Sequence, residues 1–330
     1  MPRLVDVLVL DAVVSNADDV HVEAATLAET AKVRGIKIKD ETELPTWFDD
    51  VDAIIIWHQV KLTEVSLKRL KKCRIIVRNG VGFDNVDIKY AGSKGIAVCN
   101  VPDYGTEEVA DHSMALALAL SRNLFAFREQ TQKLGWDWKI GANILKRFRG
   151  RVFGIIGLGR IGTAVALRAK AFGYDVVFYD PYLAAGVEKS IGIRRAWKLD
   201  ELLKQSDLIS LHCPLNEETM GMIGREQFGI MKEGVFLVNT ARGGIIEQIE
   251  LKRALKAGKV AGAGIDVLGT EPPNDPELLQ LPNVIVTPHA AFYSQESFEE
   301  CRSSSALIIK RFFEDGLIMN LVNQMYLKTN

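Results

Sequence analysis

A histidine near the end of the chain is the first residue that could do chemistry. His289 lies in the stretch VTPHAAFYS, residues 286–294, among small and apolar neighbours. Two other candidates are Arg242, which follows VFLVNTA, and Glu271 in GTEPP. An imidazole can pass a proton near neutral pH, and an arginine can hold a carboxylate through two hydrogen bonds. A glutamate bonded to one imidazole nitrogen would fix the tautomer and favour the protonated ring.

Each of these three residues also has a plainer interpretation. His289 could be an exposed or a satisfied core histidine, Arg242 could pair with a neighbouring acid, and Glu271 could lie in an exposed turn. Their combination favours chemistry, because a carboxylate clamp beside a proton donor suits the reduction of a ketone. Hydride transfer to a ketone leaves an alkoxide, and general acid catalysis by a nearby imidazole is worth about 10²–10⁴-fold in rate.

A glycine-rich turn predicts a binding site for the hydride carrier. Gly157, Gly159 and Gly162 are spaced as G-x-G-x-x-G, directly after an apolar run and at the start of a helical pattern. In that context a pyrophosphate can rest on N–H groups at the helix N-terminus. Asp180 ends the next apolar run, VVFYD, where a carboxylate can accept both ribose hydroxyls and would repel the 2′-phosphate of NADP. We therefore predict NAD as the cofactor, with Arg160 contacting the pyrophosphate.

Other polar residues follow apolar runs where strands of a sheet would end. Ligands of doubly wound sheets bind outside the carboxyl ends of the strands, so these positions form one group of site candidates. Asp266 could accept a hydrogen bond from a carboxamide such as that of nicotinamide, or it could cap the next segment. The group consists of His212–Cys213–Pro214, Thr240–Ala241–Arg242, Asp266 and Pro288–His289.

Short apolar runs alternate with helical patterns along the chain, which predicts two α/β domains, each a doubly wound sheet. Helical patterns lie at 62–72, 163–173 and 298–316, and one long helix is predicted at 107–133. The last helix has no strand partner in the second series, so we expect it to pack on the first domain. The predicted strands are 6–12, 53–57, 74–79, 96–100, 151–157, 175–180, 207–213, 234–241, 261–268 and 283–289.

Composition narrows the class of protein. The 330 residues are 48% hydrophobic and 25% charged with a net charge of −1, which leaves no basic excess for nucleic acid or anionic membranes. The four cysteines are scattered, without a C-x-x-C or a histidine cluster, so no metal site is predicted. No run approaches the length of a membrane span and no signal peptide is recognisable, so we expect a cytoplasmic location.

The motifs together resemble those of a known family. GLGRIG, YDPY, HCPLN, VNTARGG, GIDV, TEPP and TPHAA, in that order, are similar to the D-isomer-specific 2-hydroxyacid dehydrogenases. The resemblance runs from about Asp6 to NLVN at 320–323. RIIVRNGVGFDNVDIKYAGSKGIAVCNVP and TPHAAFYSQES are most similar to the C-terminal-binding-protein branch, which contains NAD-sensing corepressors and their dehydrogenase relatives. EEVADHSMALALALSRN and GWDW are more similar to ordinary dehydrogenases.

The resemblance implies a domain arrangement and partners. Residues 1–101 and 295–330 would form a flavodoxin-like substrate domain, and residues 102–294 an inserted Rossmann domain for NAD, with the cleft at the hinge. A homodimer would be joined through the helix at 107–130. The small-molecule partner would be a 2-keto or 2-hydroxy acid, and no direct contact with nucleic acid or membranes is expected.

The resemblance also assigns roles to individual residues. The catalytic residues would be Arg242, Glu271 and His289. The cofactor-binding residues would be Gly157, Gly159, Arg160, Ile161, Asp180, Cys213, Pro214, Thr219, Thr240, Ala241 and Asp266. The substrate-binding residues would be His58, Arg78, Asn79, Gly80, Val81 and Phe292. For His58, a strand-end histidine with a backbone partner is an equally good interpretation.

Two functions of different classes follow. The first is an NAD-dependent reductase of 2-keto acids that forms D-2-hydroxy acids. The alternative is an NAD(H)-sensing corepressor or binding protein, in which the dinucleotide closes the cleft and catalysis is incidental. Oxidation of phosphite or formate on the same scaffold has no residue in its favour. The corepressor branch has tryptophan at the position of Phe292, so the preferred keto acid is left open.

Overall fold

The structure of the protein is a computed structural model that describes residues 3–10, 19–141 and 145–327. The chain divides into two compact units. The first unit is Met1–Gly105 together with Ser294–Asn330, and the second is Thr106–Tyr293. Within the described ranges, no helix has the length and apolar character needed to cross a membrane.

The first unit is built on a parallel sheet with the order β2-β1-β3-β4-β5, which is the flavodoxin-like order. Residues of β3, β4 and β5 are buried throughout, as expected for strands covered by helices on both faces. The strands are β1 Val5–Leu10, β2 Ala31–Ile36, β3 Ala53–Ile56, β4 Ile75–Arg78 and β5 Ala97–Asn100.

Helices from both ends of the chain cover this sheet. They are α1 His21–Leu27, α2 Glu64–Leu67, α3 Ile88–Ser93 and, from the C-terminal segment, the helix Gln295–Asp315. The C-terminal helix packs on α1, where Arg302 donates to both carboxylate oxygens of Glu23 at 2.8 and 2.7 Å. Since both side chains are buried, this ion pair fastens the helix to the first unit. The predicted return of this helix to the first domain is confirmed.

The second unit contains a parallel sheet with the order β12-β11-β10-β9-β6-β7-β8. The chain starts in the middle at β6, winds outwards through β7 and β8, and then crosses to β9 and the other edge. This is the Rossmann arrangement, and its switch point lies between β6 and β9. The strands are β6 Val152–Ile156, β7 Asp175–Tyr179, β8 Arg194–Arg195, β9 Leu208–Leu211, β10 Val235–Asn239, β11 Val260–Ile265 and β12 Val284–Val286.

The remaining helices belong to the second unit. They are α4 Thr106–Ser121, α5 Leu124–Gln132, α6 Arg160–Ala171, α7 Val187–Ile191, α8 Leu199–Gln205, α9 Arg225–Ile230, α10 Gln248–Lys256 and α11 Glu277–Gln280, so that the C-terminal helix is α12. Short 3₁₀ turns lie at Ala28–Thr30, Glu41–Glu43, Thr46–Asp50, Trp138–Gly141, Gly243–Ile245 and Gln324–Tyr326. The predicted fold class of two doubly wound α/β domains is confirmed.

Two predicted helices were wrong in length. The long helix at 107–133 is interrupted, because Asn123 has φ 53°, a left-handed conformation that asparagine tolerates better than most residues. The helix predicted at 62–72 ends at Leu67. Beyond Leu67 the chain makes hydrogen bonds to Asp49. The backbone O of Asp49 accepts from Lys71 N at 2.9 Å, and its carboxylate accepts from Arg69 Nε at 2.9 Å.

Each of the ten predicted strands overlaps an observed strand, with ends that differ by up to three residues. Strands β2 and β8 were not predicted, since β2 contains two cations and a glycine and β8 has only two residues. The last two residues of the strand predicted at 6–12 lie outside the described residues. The functional domains predicted at 1–101 with 295–330 and at 102–294 stay a prediction.

Candidate active site

The glycine loop joins β6 to the N-terminus of α6. Gly157 has φ 88°, and a Cβ there would lie 2.7 Å from the backbone N of Cys213. At Gly162 a Cβ would lie 2.1 Å from Gly157 O, so α6 could not approach the strand with a larger residue. Gly159 is the N-cap of α6, and a Cβ there would meet nothing within 4 Å. The loop therefore leaves open space directly beside an exposed helix N-terminus, which fits a pyrophosphate.

Asp180 lies beside this loop, at the end of β7. Its Oδ2 accepts from Leu158 N at 3.0 Å, and its Oδ1 accepts from Tyr182 N at 3.0 Å. The carboxylate is therefore held by two backbone amides, one from the glycine loop itself. Arg160 and Ile161 occupy the first turn of α6, where Arg160 is exposed and Ile161 is partly buried. These positions fit the predicted dinucleotide site.

The segment after β9 forms the opposite wall of the loop. Thr219 Oγ1 donates to Pro214 O at 2.6 Å, which closes the turn that carries Cys213 and Pro214. His212, one residue after β9, contacts Ser210 Oγ through Nε2 at 2.8 Å. Burial lowers the pKa of His212 to about 3 and raises the pKa of the Cys213 thiol to about 11. Both side chains are therefore neutral at pH 7.

The end of β10 carries Thr240, Ala241 and Arg242. Thr240 Oγ1 lies 2.8 Å from Ser113 Oγ, a buried contact with α4. Asn239 shapes the turn, since its Oδ1 accepts from Ala241 N at 3.0 Å and its Nδ2 donates to Arg242 O at 3.0 Å. The Arg242 guanidinium donates through Nη1 to Ala241 O at 2.8 Å. The turn thus fixes the arginine where the strand emerges from the sheet.

Asp266 organises the segment that contains the candidate histidine. Its Oδ1 accepts from Ala290 N at 2.9 Å and from the Thr287 hydroxyl, and its Oδ2 accepts from Ala291 N at 3.0 Å. Its backbone O accepts from His289 N at 2.8 Å. Of the two roles considered for this residue, capping the next segment is the one these contacts display. Contact with a carboxamide stays a prediction.

His289 and Glu271 form a direct pair. His289 Nδ1 lies 2.7 Å from Glu271 Oε2, and the two side chains are 22% and 33% exposed. Glu271 Oε1 accepts from Leu268 N at 2.8 Å, so the carboxylate is anchored on both sides. His289 has φ 54°, which is uncommon for a residue with a side chain and is found more often at functional sites. The carboxylate fixes the ring so that Nδ1 carries a proton towards Glu271.

Backbone packing brings the arginine turn next to this pair. A Cβ at Gly243 would lie 2.0 Å from the backbone carbon of Leu268, so the residue after Arg242 touches the segment that anchors Glu271. Asp266 N donates to Asn239 O at 2.9 Å, which joins the same two strand ends. The second unit therefore brings together the ends of β10, β11 and β12 with the three predicted catalytic residues.

Phe292 closes one side of the histidine. The rings of His289 and Phe292 meet edge to face, with centroids 6.5 Å apart. Phe292 makes a second edge-to-face contact with Tyr293 at 6.4 Å. The apolar ring therefore lies within reach of a group bound at the imidazole.

The predicted substrate loop lies in the first unit, after β4. Asn79 is fully buried, and its Oδ1 accepts from Ser305 Oγ at 2.6 Å and from Cys301 Sγ at 3.1 Å. Asn79 N donates to Ile56 O at 2.8 Å. Helix α12 and strand β3 thus set the position of the loop from two sides.

Glycine is required at the next position of this loop. A Cβ at Gly80 would lie 1.5 Å from Arg78 Nη1, and Gly80 has φ 142°. Arg78 is buried and donates through Nη1 to Asn79 O at 2.8 Å. Val81 O accepts from Asn100 Nδ2 at 2.7 Å. His58, two residues after β3, is partly exposed.

The sequence did not predict that two residues of α4, His112 and Ser113, contact the strand ends around Asp266. His112 of α4 meets Thr287 Oγ1 through Nε2 at 3.0 Å and lies 3.9 Å from the Asp266 carboxylate. Ser113, next in the same helix, holds Thr240. The adjacent polar pair directly before the apolar half of the helix was the available signal. Across the described ranges, no group of three or more His, Cys, Asp or Glu side chains could hold a metal ion.

Comparison with known proteins identifies the family. The sequence model described as "D-isomer specific 2-hydroxyacid dehydrogenase, NAD binding domain" matches residues 114–291. D-3-phosphoglycerate dehydrogenase of Methanocaldococcus jannaschii is 38% identical over 307 residues, which are 93% of this chain and 58% of that protein. C-terminal-binding protein 1 of Caenorhabditis elegans is 37% identical over 303 residues, 89% of this chain and 42% of that protein.

One solved structure is similar to this protein over nearly the whole length of both chains. D-lactate dehydrogenase from Aquifex aeolicus, complexed with NAD and lactic acid, has 33% sequence identity and a TM-score of 0.84, and the match covers 96% of this chain and 99% of that chain. The two curated relatives are longer, since this chain spans 58% and 42% of their lengths. The match to an NAD-binding domain confirms the predicted cofactor. The chain belongs to the D-isomer-specific 2-hydroxyacid dehydrogenase family.

Proposed function

We propose that the protein is an NAD-dependent D-2-hydroxyacid dehydrogenase that reduces a 2-keto acid to the D-2-hydroxy acid. The observation that carries this proposal is the 2.7 Å contact between His289 Nδ1 and Glu271 Oε2, in the same unit as the glycine loop. A carboxylate-anchored imidazole is a proton donor poised beside the place where a dinucleotide would bind.

His289 is the general acid in this proposal. Because Glu271 accepts a hydrogen bond from Nδ1–H, the protonated ring delivers its other proton, from Nε2, to the carbonyl oxygen of the substrate. The carboxylate of Glu271 stabilises the protonated ring before that transfer. In the reverse direction the neutral ring accepts the hydroxyl proton at Nε2, and Glu271 then stabilises the imidazolium that forms.

Arg242 is proposed to bind the substrate carboxylate. Its planar fork matches the two carboxylate oxygens, and its backbone is held by Asn239 at the end of β10. The backbone of residues 79–81, together with Arg78 and His58, is proposed as a further set of substrate contacts. Phe292, whose ring meets that of His289, is proposed to contact the substituent of the keto acid.

The cofactor is proposed to bind along the glycine loop. Gly157, Gly159 and Arg160 would hold the pyrophosphate at the N-terminus of α6, and Asp180 would hold the ribose hydroxyls. When bound, the nicotinamide supplies the hydride. Further contacts to the cofactor are proposed for Ile161, Cys213, Pro214, Thr219, Thr240, Ala241 and Asp266.

The configuration of the product tests this proposal. The protein is incubated with NADH deuterated at the transferring position and with pyruvate or phenylpyruvate, and the product is separated by chiral chromatography. We expect deuterium at C2 and the D-enantiomer. Formation of the L-enantiomer, or loss of the deuterium to water, would contradict the assignment.

The homodimer and the cytoplasmic location stay predictions. A dinucleotide-gated binding protein, the alternative function, would use the same glycine loop but would not need the Glu271–His289 pair. The contact between those two side chains therefore favours catalysis.

A further inference from the structure

Strand β8 places a buried arginine against the segment that carries Asp180. The Arg195 side chain is 5% exposed. Its Nη2 donates to Asp180 O and to Leu183 O, both at 2.8 Å, and its Nη1 donates to Ala184 O at 3.0 Å. A single guanidinium thus donates hydrogen bonds to three backbone carbonyls of the turn after β7.

Aromatic rings enclose the same guanidinium. Its central carbon lies 4.3 Å from the centroid of the Trp197 ring and 5.4 Å from that of Phe178. Glu188 Oε2 lies 3.8 Å from Nη1 and balances part of the charge. These contacts stabilise the buried cation through Nη1, Nη2 and the faces of the two rings, whereas Nε has no hydrogen-bond partner among the described residues. The arginine and the turn therefore hold each other in place.

The turn gripped by Arg195 positions the Asp180 carboxylate. Asp180 is bound at both ends: its backbone O accepts from Arg195, and its two carboxylate oxygens accept from Leu158 N and Tyr182 N at 3.0 Å each. A shift of the backbone would break both carboxylate contacts. It would also move the negative charge that discriminates against a 2′-phosphate.

The neighbouring Arg194 differs from Arg195 in both exposure and partners. Arg194 donates to the Asp175 carboxylate at 3.1 and 2.8 Å and to Gln205 Oε1 at 2.6 Å, and its side chain is 48% exposed. In related folds an arginine near this turn accommodates the 2′-phosphate of NADP. Here Arg195 is occupied by carbonyls of the turn, and Arg194 is paired with Asp175 at the start of β7.

We propose that Arg195 is a positioning residue that sets the selectivity for NAD over NADP by holding the turn that carries Asp180. The inference rests on the proposed NAD-dependent function and adds to it a residue that does not touch the cofactor. Arg195 acts through the backbone of Asp180, so its effect should require the Asp180 carboxylate.

The test compares Arg195→Lys with Arg194→Lys. Lysine keeps the charge but loses the fork that spans three carbonyls, and the control makes the same change one residue away. Dissociation constants of NADH and NADPH are measured by nucleotide fluorescence. For Arg195→Lys we expect the NADH constant to rise at least about tenfold, equivalent to about 1.4 kcal/mol, and the preference over NADPH to fall by a similar factor. For Arg194→Lys both constants should stay within about twofold, a change of less than about 0.5 kcal/mol.

Two further measurements separate positioning from general instability. Hydrogen exchange of the cofactor-free protein should show faster exchange at the Leu158 and Tyr182 amides in Arg195→Lys, with the amides of β10 unchanged. In the Asp180→Ala background, Arg195→Lys should no longer change the preference between the two dinucleotides. If Arg195→Lys does not fold, Arg195→Gln takes its place, because it is neutral and shorter and so leaves no buried cation unpaired.

The outcomes are distinguishable. If the wild-type protein binds neither dinucleotide, the proposed function fails. If the wild type prefers NADH and a folded Arg195 variant keeps that preference, the positioning role is wrong. Multiplicative effects of the Asp180 and Arg195 substitutions would also overturn it, because they would show that the arginine acts independently of the carboxylate.

Discussion

Replacement of Glu271 by glutamine perturbs the candidate site with the least change of shape. The glutamine carbonyl can still accept from Leu268 N, as Oε1 does now at 2.8 Å. Its amide would then face His289 Nδ1, which lies 2.7 Å from Oε2. The ring would have to accept at Nδ1, so the imidazolium would lose the carboxylate that stabilises it.

The size of the effect follows from the geometry of this pair. A hydrogen bond to a charged group contributes about 1.5–3 kcal/mol, and the partial exposure of both side chains favours the lower half of that range. A loss of about 1.5–2 kcal/mol in the transition state reduces kcat about 10–30-fold. The dissociation constant of NADH should not change, because Glu271 is not among the residues proposed to bind the cofactor.

The assay is steady-state reduction of a 2-keto acid, with NADH binding measured separately. Glu233→Gln is the matched control, since Glu233 pairs with Lys259 at 2.9 Å in the same unit and is exposed, two residues before β10. We expect the control to keep wild-type kcat. A folded Glu271→Gln variant with kcat within about twofold of the wild type, a difference of less than about 0.5 kcal/mol, would refute the role of the pair.

Three further predictions concern the histidines and the glycine loop. His289→Ala should lower turnover about 10²–10⁴-fold with unchanged NADH affinity, and an equal loss of both in kinetic and binding assays would exclude a proton-transfer role. Gly157→Ala should abolish NADH binding in a fluorescence titration, because the added Cβ would lie 2.7 Å from Cys213 N; near-normal affinity would contradict the close approach. Burial lowers the pKa of His212 from 6.5 to about 3, so its contribution to stability is complete above pH 6.5 and is lost as the pH falls towards 3, by up to about 1.4 kcal/mol per pH unit. In urea titrations His212→Asn should therefore show a flatter pH dependence than the wild type, and parallel curves would show that His212 is not buried in its neutral form.

The parts of the site that sequence could predict are those with a local physical cause. The spacing of Gly157, Gly159 and Gly162 predicts a turn that passes close to other backbone atoms. The structure has such a turn directly after β6. Residues such as Arg242 and His289 could be grouped from the sequence because parallel strands present their carboxyl ends on one edge. Apolar runs and a common strand direction were sufficient for that grouping.

The parts that sequence could not predict depend on backbone contacts between distant segments. Asp266 binds the amides of Ala290 and Ala291, and Arg195 binds carbonyls of the turn after β7. Such contacts leave no signature in residue type, because every residue at the far end offers the same amide or carbonyl. The break at Asn123 is a related case, since asparagine can either continue a helix or adopt the left-handed conformation, and the residue type alone does not decide between them.

The Glu271–His289 pair is proposed to serve NADH-dependent reduction of a 2-keto acid. The most direct measurement is the rate of NADH oxidation by the wild-type protein against a panel of 2-keto acids from glyoxylate to phenylpyruvate, with NADPH in parallel. We expect at least one acid to be reduced and NADH to be used in clear preference to NADPH. A folded protein that binds NADH but reduces none of the acids would contradict the claim, and equal rates with NADPH would contradict the role of Asp180.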